Sequence, residues 1–573
     1  MTDLTFQKLK KLSKDAALTP QYRLAIAGDC ATQHLATAIG GYGVAVGLGL
    51  EIFDADYDQI QALVMDEESE LYGFKPNALL LQMCTQKLYE SFCAAPLGAR
   101  AGFADDVFRK IKGIWQRLGG RMTVLQCNFP LLDDGTFGQF GNKTPDSFLY
   151  QQRKLNYLLM QGCQEIKNVY LIDLDALQAQ MGRERFFDSR LYYMAKMPIS
   201  MYALPQAAKS VVDMIQAIRG VVKKCVVLDL DNTLWGGVIG DDGLSGIQIG
   251  ELGTGHAFSD FQQWLKQLKN RGILLAVCSK NNEDTAKEPF EKHPEMVLRL
   301  DDFSMFVANW QDKAGNIRRI QQTLNIGMDS MVFLDDNPFE RNLVRGLIPE
   351  ITVPELPEDP ALYVSYLREL DLFETASYSV EDASRTDQYR LQAERTVFEA
   401  SFQSYEEYLA GLDMRAKAAP FDAFHYPRIA QLTQRSNQFN LRTVRYTEQE
   451  IEALAQDDDH VGLYFTLKDR FGDYGLISVV ILDKEPEDVL FISQWLMSCR
   501  VLKRGMEEFI LDKIMHLAAD RGIRKVVGEY LPTPKNAMVK DLYEKLGFVR
   551  VDEHRFEADP ARYVYHKNYI LEE

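Results

Sequence analysis

Asp229-Leu230-Asp231-Asn232-Thr233 is the segment whose residue types and spacing best suit chemistry. In an extended strand, residues two apart face the same way, so both carboxylates would project together while Leu230 turns to the core. Asp229 could attack phosphorus; Asp231 could protonate the leaving oxygen and then activate the water that releases phosphate. Two like charges at one site need a counterion, and Mg²⁺, with its preference for carboxylate and phosphate oxygens, is the natural one. Further along, Ser279 could donate to a phosphoryl oxygen and Lys313 could neutralise the transferring phosphate. Asp335 and Asp336 could supply the remaining metal ligand. On an extended strand these two diverge, so Asp335 is favoured over Asp336. The expected metal set is Asp229, Asp231, Asp335 and Asp336, with Thr233, Ser279 and Lys313 on the phosphate.

The elements that must position these groups are legible around them. KCVVLDLD (224–231), GILLAVCS (272–279) and DSMVFLDD (329–336) are apolar runs that end in polar residues. Apolar runs without alternation predict parallel strands buried on both faces, with the chemistry at their C-terminal ends. Helical stretches such as FSDFQQWLKQLKN and AGNIRRIQQTLN separate them. Fifty residues from Asp229 to Ser279, and 34 from there to Lys313, leave no room for an inserted cap domain. Such a site excludes water only through a large substrate or a neighbouring domain. WGGVIGDDG (235–243) reads as a mobile flap or an ordinary solvent loop.

RLAIAG (23–28), RMTVLQCNF (121–129) and VYLIDL (169–174) predict an α/β sheet in the first 200 residues. Gly28-Asp29-Cys30 follows a strand and precedes a helix, the layout of a nucleophile elbow. A cysteine at a helix start has a lowered pKa, which makes Cys30 a candidate covalent thiol. The alternative is a small buried residue. Cys278, beside Ser279, is a weaker rival because it would face the other side of its strand. Beyond the Pro-rich VPELPEDP (353–360) comes a polar helical connector. GLYFTLKD, LISVVIL and VLFISQWL, followed by a helix from about 504, then make a third α/β region.

The chain has 573 residues, 46% hydrophobic and 25% charged, with a formal net charge of −18. At roughly 100–200 residues per domain this predicts three or four domains. The negative balance argues against wrapping nucleic acid. Eight scattered cysteines without a CxxC pair indicate neither a zinc site nor a disulfide framework. MTDLTFQKLKKLSKDA lacks the apolar core of a secretory signal, and VAVGLGL is too short to span a bilayer. A cytoplasmic protein without membrane insertion is expected.

DLDNTLWGGVIG, LLAVCSKNN, ANWQDKAGNI and FLDDNPFERNLV closely resemble the FkbH-like branch of the haloacid dehalogenase (HAD) phosphatase superfamily. FDSRLYYMAKMPIS and RSNQFNLRTVRY extend the resemblance over most of the chain. It implies Asp229 as nucleophile, Asp231 as general acid/base, Ser279 and Lys313 as phosphate-binding residues, and Mg²⁺ completed by Asp335 and Asp336. The N-terminal region resembles SGNH hydrolases with Cys30 in place of the serine. Asp188-Ser189-Arg190-Leu191 stands where a DxxH would be expected, so this region is expected to bind or shield substrate rather than hydrolyse it.

The C-terminal region resembles GNAT acyltransferases through Asn536-Ala537-Met538 and Leu542–Phe548, where Tyr543 would be a general acid. Arg500–Gly505 stands at the pyrophosphate loop, with Lys503 where that family has glycine. The resemblance implies CoA or, preferred here, a phosphopantetheine arm. Arg435, Arg442 and Arg445 form either a solvated face or a surface that steers an acidic carrier.

The expected architecture is α/β in three domains. These are an SGNH-like sheet over 1–205, an uncapped HAD Rossmann-like core over 221–375 and, after a helical connector over 376–409, a GNAT-like domain over 410–573. The FkbH-like resemblance implies a phosphorylated three-carbon substrate, 1,3-bisphosphoglycerate, that is dephosphorylated while its glyceryl unit is loaded onto an acyl carrier protein for polyketide-type biosynthesis. The alternatives are a HAD phosphatase or phosphatase–acetyltransferase acting on sugars in polysaccharide assembly, and a carrier-protein binding module.

Overall fold

A computed structural model describes residues 4–15, 18–378, 402 and 404–573; most of the connector expected over 376–409 lies outside the described residues. The chain divides into two compact units, Met1–Ala217 and Ile218–Glu573. The second unit contains two separate sheets, so the phosphoryl core and the C-terminal region expected as distinct domains cluster together.

The first unit is built on β1 (Tyr22–Gly28), β2 (Leu50–Asp54), β3 (Ala78–Gln82), β4 (Thr123–Cys127) and β5 (Val169–Ile172). All pair in parallel, in the order β2-β1-β3-β4-β5. β3 and β4 are buried at every position, which is why they read as apolar runs without alternation. The strand order switches direction between β1 and β3. Gly28-Asp29-Cys30 and Gln82–Cys84 therefore stand at the crevice where doubly wound sheets take ligands.

The second unit opens with β6 (Cys225–Leu228), β7 (Leu274–Ser279), β8 (Met305–Ala308) and β9 (Met331–Leu334), parallel in the order β8-β7-β6-β9. β6, β7 and β9 are buried throughout, as their sequences predict. Helices Ile239–Gly246 and Gly253–Asn270 fill the interval between β6 and β7, and Glu283–Lys292 the interval before β8.

The other sheet comprises β10 (Arg415–Pro420), β11 (Phe439–Asn440), β12 (His460–Asp469), β13 (Gly472–Glu485), β14 (Val489–Met497), β15 (Lys525–Glu529), β16 (Val549–Arg550), β17 (Arg555–Ala558) and β18 (Leu571–Glu572). Its order is β16-β17-β15-β14-β13-β12-β10-β18, with β11 on β14. Helix Met506–Asp520 packs Met506, Ile510, Ile514 and Met515 into the core of this sheet. Among the described residues no helix is long and apolar enough to cross a membrane.

Candidate functional site

The C-terminal ends of β6, β7 and β9 carry the predicted chemistry. Beyond β6, Asp229 still pairs through its N–H with Leu334 O at 3.0 Å. The chain then turns: Thr233 N and Leu234 N both donate to Leu230 O, at 3.0 and 2.7 Å, and Asn232 adopts a left-handed φ of 55°. Asparagine tolerates that conformation better than most residues. Carboxylate oxygens of Asp229, Asp335 and Asp336 lie within 4.8 Å of one another. Lys313 Nζ stands 2.8 Å from Asp229 Oδ2 and 2.6 Å from Asp335 Oδ2. This lysine is the first residue of helix Lys313–Leu324, whose start is fixed by the Asp312 carboxylate accepting from Gly315 N at 2.7 Å.

Two expectations drawn from strand alternation are corrected by that turn. β6 ends at Leu228 and β9 at Leu334, so alternation no longer governs the residues that follow. Asp336 joins Asp335 in the acidic cluster instead of diverging from it. The carboxylate of Asp231 does not join the cluster. It accepts from the indole of Trp235 at 3.0 Å, from Ile239 N at 2.9 Å and from Asn281 Nδ2 at 3.2 Å. Thr233, expected on the phosphate, instead exchanges hydrogen bonds with Asp336: its hydroxyl donates to Oδ1 at 3.2 Å and accepts from the backbone N–H at 3.1 Å. Ser279 closes β7 and is buried. Within 235–243, Val238 N donates to Asp242 at 2.8 Å and Gly236 exchanges backbone hydrogen bonds with Gln248.

Electrostatics follow from this burial. Desolvation, then the Asp229 charge, pushes the Asp335 carboxyl up to about 6 against the pull of Lys313. Asp336 is raised by the same two causes, and Asp231 chiefly by burial, against its hydrogen bonds from Ile239 and Trp235. Burial works against the Lys313 ammonium, but Asp229 and Asp335 more than offset it, so its pKa stands above that of an ordinary lysine. Three clustered carboxylates repel one another, and a hard oxygen-seeking dication relieves that repulsion, so the donor set fits Mg²⁺.

Three positioning residues escaped the sequence reading. Trp235 and Asn281 hold Asp231 as described, at four residues past Asp231 and two past Ser279. Arg341, 5% exposed, donates to the carbonyls of Asp335 and Asp336 at 2.8 and 2.6 Å while Glu355 holds its other face at 3.0–3.1 Å. The available signal was a buried-face arginine five residues beyond the paired acids.

The remaining expectations fare differently. Cys30 is 2% exposed, packed with Cys84 and Tyr192, and donates to Gln82 O at 3.6 Å. Burial pushes its pKa well up, the reverse of the activation expected at a helix start. Beside it, burial raises Asp29 to about 6, although Cys84 N donates to its Oδ1 at 2.7 Å. Cys278 is a core residue. Asn536 and Tyr543, expected to meet a ligand, are both interior, at 0% and 1% exposure. Gly505 caps helix Met506–Asp520 at φ 80°, and the Arg500 side chain lies outside the described residues.

The three arginines of the cluster are half-buried and bonded within the chain. Arg442 binds Glu529 at 2.7 Å, Arg435 binds Ser377 O at 2.7 Å, and Arg445 bonds Thr433 O and Asn437. Burial, with Arg219 nearby, lowers Arg445 to about 10.

A parallel sheet with clustered carboxylates at its C-terminal ends and a lysine bridging them agrees with the expected phosphatase-type HAD domain. Residues 23–216 match the family model of the FkbH N-terminal domain. The chain is 48% identical to the N-terminal part of protein BF1531 from Bacteroides fragilis, a structure that contains a phosphatase domain complexed with Mg. The alignment covers 65% of this chain and 100% of that one, with a TM-score of 0.63. The chain belongs to the FkbH-like family of the HAD phosphatase superfamily. Partial alignments also occur with the GNAT domain of S. lividans PAT (20% identity, 25% of this chain, 89% of that chain, TM-score 0.21). The ribosomal-protein-S18-alanine N-acetyltransferase of Escherichia coli aligns similarly (16%, 25%, 90%, TM-score 0.20). No curated protein matches the chain.

Proposed function

We propose that the chain is a Mg²⁺-dependent phosphatase that removes phosphate from a phosphorylated glyceryl donor, 1,3-bisphosphoglycerate, as its glyceryl unit is loaded onto the thiol of an acyl carrier protein. The observation that carries the phosphatase part is the convergence of Asp229, Asp335 and Asp336 on one another and on Lys313. An Asp229 carboxylate oxygen attacks phosphorus, the bond from phosphorus to the leaving oxygen breaks, and the proton on Asp231 passes to that oxygen. Asp231 then takes a proton from the water that cleaves the aspartyl phosphate, which restores Asp229 and releases phosphate. The raised pKa of Asp231 suits the first of these roles. Lys313 offsets charge on the phosphoryl oxygens. Asp229, Asp335 and Asp336 would hold a Mg²⁺, which would supply positive charge against that of the phosphoryl group.

Hydrolysis of a phosphomonoester does not make a thioester, so the two phosphates of the donor have different fates. In the loading reaction the carrier thiol attacks the acyl-phosphate carbonyl, the C–S bond forms as the C–O bond to phosphate breaks, and the thiol proton leaves with the phosphate or to water. The phosphatase site then accounts for the remaining phosphomonoester. The burial of Cys30, which disfavours its thiolate, speaks against an acyl thioester on that residue.

Incubating the chain with 1,3-bisphosphoglycerate, Mg²⁺ and a phosphopantetheinylated carrier, then weighing the intact carrier, tests the reading. A glyceryl adduct without phosphate supports the full proposal. Free phosphate with an unmodified carrier reduces it to a phosphatase, and neither product contradicts it.

A further inference from the structure

The sequence resemblance implies a CoA or phosphopantetheine arm at the C-terminal sheet, and the residues present do not fit one. An extended ligand joins a sheet by pairing with free groups on a strand edge. β14 pairs along one edge with β13 from Val489 to Met497, with a bulge at Ser493. Its other edge pairs with β15 only from Val489 to Ile492, after which the two strands part. The chain itself takes the opening. β11 runs antiparallel to Leu496 and Met497, and Leu441 N donates to Trp495 O at 3.1 Å. On the far side, Leu531 N, just past β15, donates to Leu441 O at 2.9 Å. The inserted segment is bonded to both walls.

Side chains lock it there. Asn536 donates to Asn440 O and Leu531 O, both at 2.9 Å, and accepts from Thr533 N at 2.7 Å. Arg442 ties Ser493 O of β14, at 2.8 Å, to Glu529 of β15, at 2.7 Å, and Gln494 holds Val444 O at 2.8 Å. Tyr543 packs among Trp495, Phe548 and Phe556; a Cβ on Gly528 would stand 2.3 Å from its ring.

At the loop expected to cradle a diphosphate, the Arg504 side chain is turned into the core. Lys503 adopts a left-handed φ of 61° and its N–H faces Glu507 Oε1 at 3.4 Å. Arg504 is buried against Asp469 at 2.9 Å, and Gly505 O accepts from Asn568 at 3.1 Å.

We infer that residues 436–445, with the two-residue strand β11 at their centre, are a built-in segment filling the place an extended thioester arm would take, so the C-terminal sheet is a structural partner of the phosphoryl core and not a CoA-dependent acyltransferase. Its contacts with that core agree. Asn325 donates to Cys499 O at 2.9 Å, Lys224 to Arg435 O at 3.2 Å, and Lys535 pairs with Asp329. Lys224 directly precedes β6 and Asp329 lies two residues before β9, at the opposite strand ends from the acidic cluster.

Equilibrium dialysis of the full chain against CoA and acetyl-CoA, up to about 1 mM, the top of the usual KM range, tests this independently of any phosphate release. The expected result is no saturable binding, with slow amide exchange at Phe439–Leu441 and Leu496–Met497 that neither ligand changes. Stoichiometric binding of either, or loss of that protection on adding it, overturns the inference. In Asn536→Ala, exchange at Phe439–Leu441 is expected to quicken at least tenfold; unchanged exchange also overturns it.

Discussion

The indole of Trp235, wholly buried, donates to Asp231 Oδ1 at 3.0 Å and so fixes the carboxyl proposed to move the proton. Trp235→Phe keeps the aromatic packing against Phe290 and deletes that donor. Turnover is expected to fall about tenfold or more, within the range attributed to positioned acid–base groups, with KM little changed. Steady-state kinetics on a phosphomonoester check it; an unchanged kcat contradicts the role.

Arg341 anchors the two adjacent carbonyls from which Asp335 and Asp336 project. Arg341→Met should raise the Mg²⁺ concentration for half-maximal activity about 10–100-fold, the usual effect of losing an outer-shell partner. Calorimetric Mg²⁺ titration without substrate separates weaker ion binding from slower chemistry.

Asp29 illustrates a stability effect with a definite sign. Its ordinary value is 3.8 and burial raises it to about 6 in the folded unit. The folded state therefore binds the proton more tightly, and stability falls as pH rises from about 4 to 6, then levels. A shift of that size corresponds to about 2–3 kcal/mol at neutral pH. Asp29→Asn should raise the urea midpoint of the N-terminal unit at pH 7 and leave it unchanged at pH 4.

Gly220 has φ 74°, and a Cβ there would lie 1.6 Å from Gln434 O. Gly220→Ala should destabilise the packing of helix Tyr426–Arg435 by more than the roughly 1–2 kcal/mol of a left-handed alanine. Faster limited proteolysis around 426–445 and a lower unfolding midpoint are the expected readouts.

Sequence spacing made the phosphoryl core legible because β6, β7 and β9 are short, apolar on both faces and end abruptly in polar groups. It misjudged what happens one residue later. The turn at Asn232 removes Asp231 from the acidic cluster, and the end of β9 lets Asp336 enter it, neither of which a two-residue period can express. Cys30 misled for a related reason: a helix start lowers a thiol pKa only where burial does not outweigh it, and here Cys84 and Tyr192 enclose the thiol and burial prevails over the nearby Lys87. The C-terminal sheet hid most. β11 is two residues long and pairs across more than fifty residues, so NQFNLRTVR looked like a basic surface when its half-buried arginines bond to the chain around them.

The most direct measurement is rapid quench of the chain with substrate and Mg²⁺, followed by mass spectrometry of the peptide spanning 224–235. A phosphoryl group on Asp229 in the wild type, with neither that adduct nor phosphate release in Asp229→Asn, is the result expected. Phosphate release that persists in Asp229→Asn, or a phosphoryl group trapped on another residue, would contradict it.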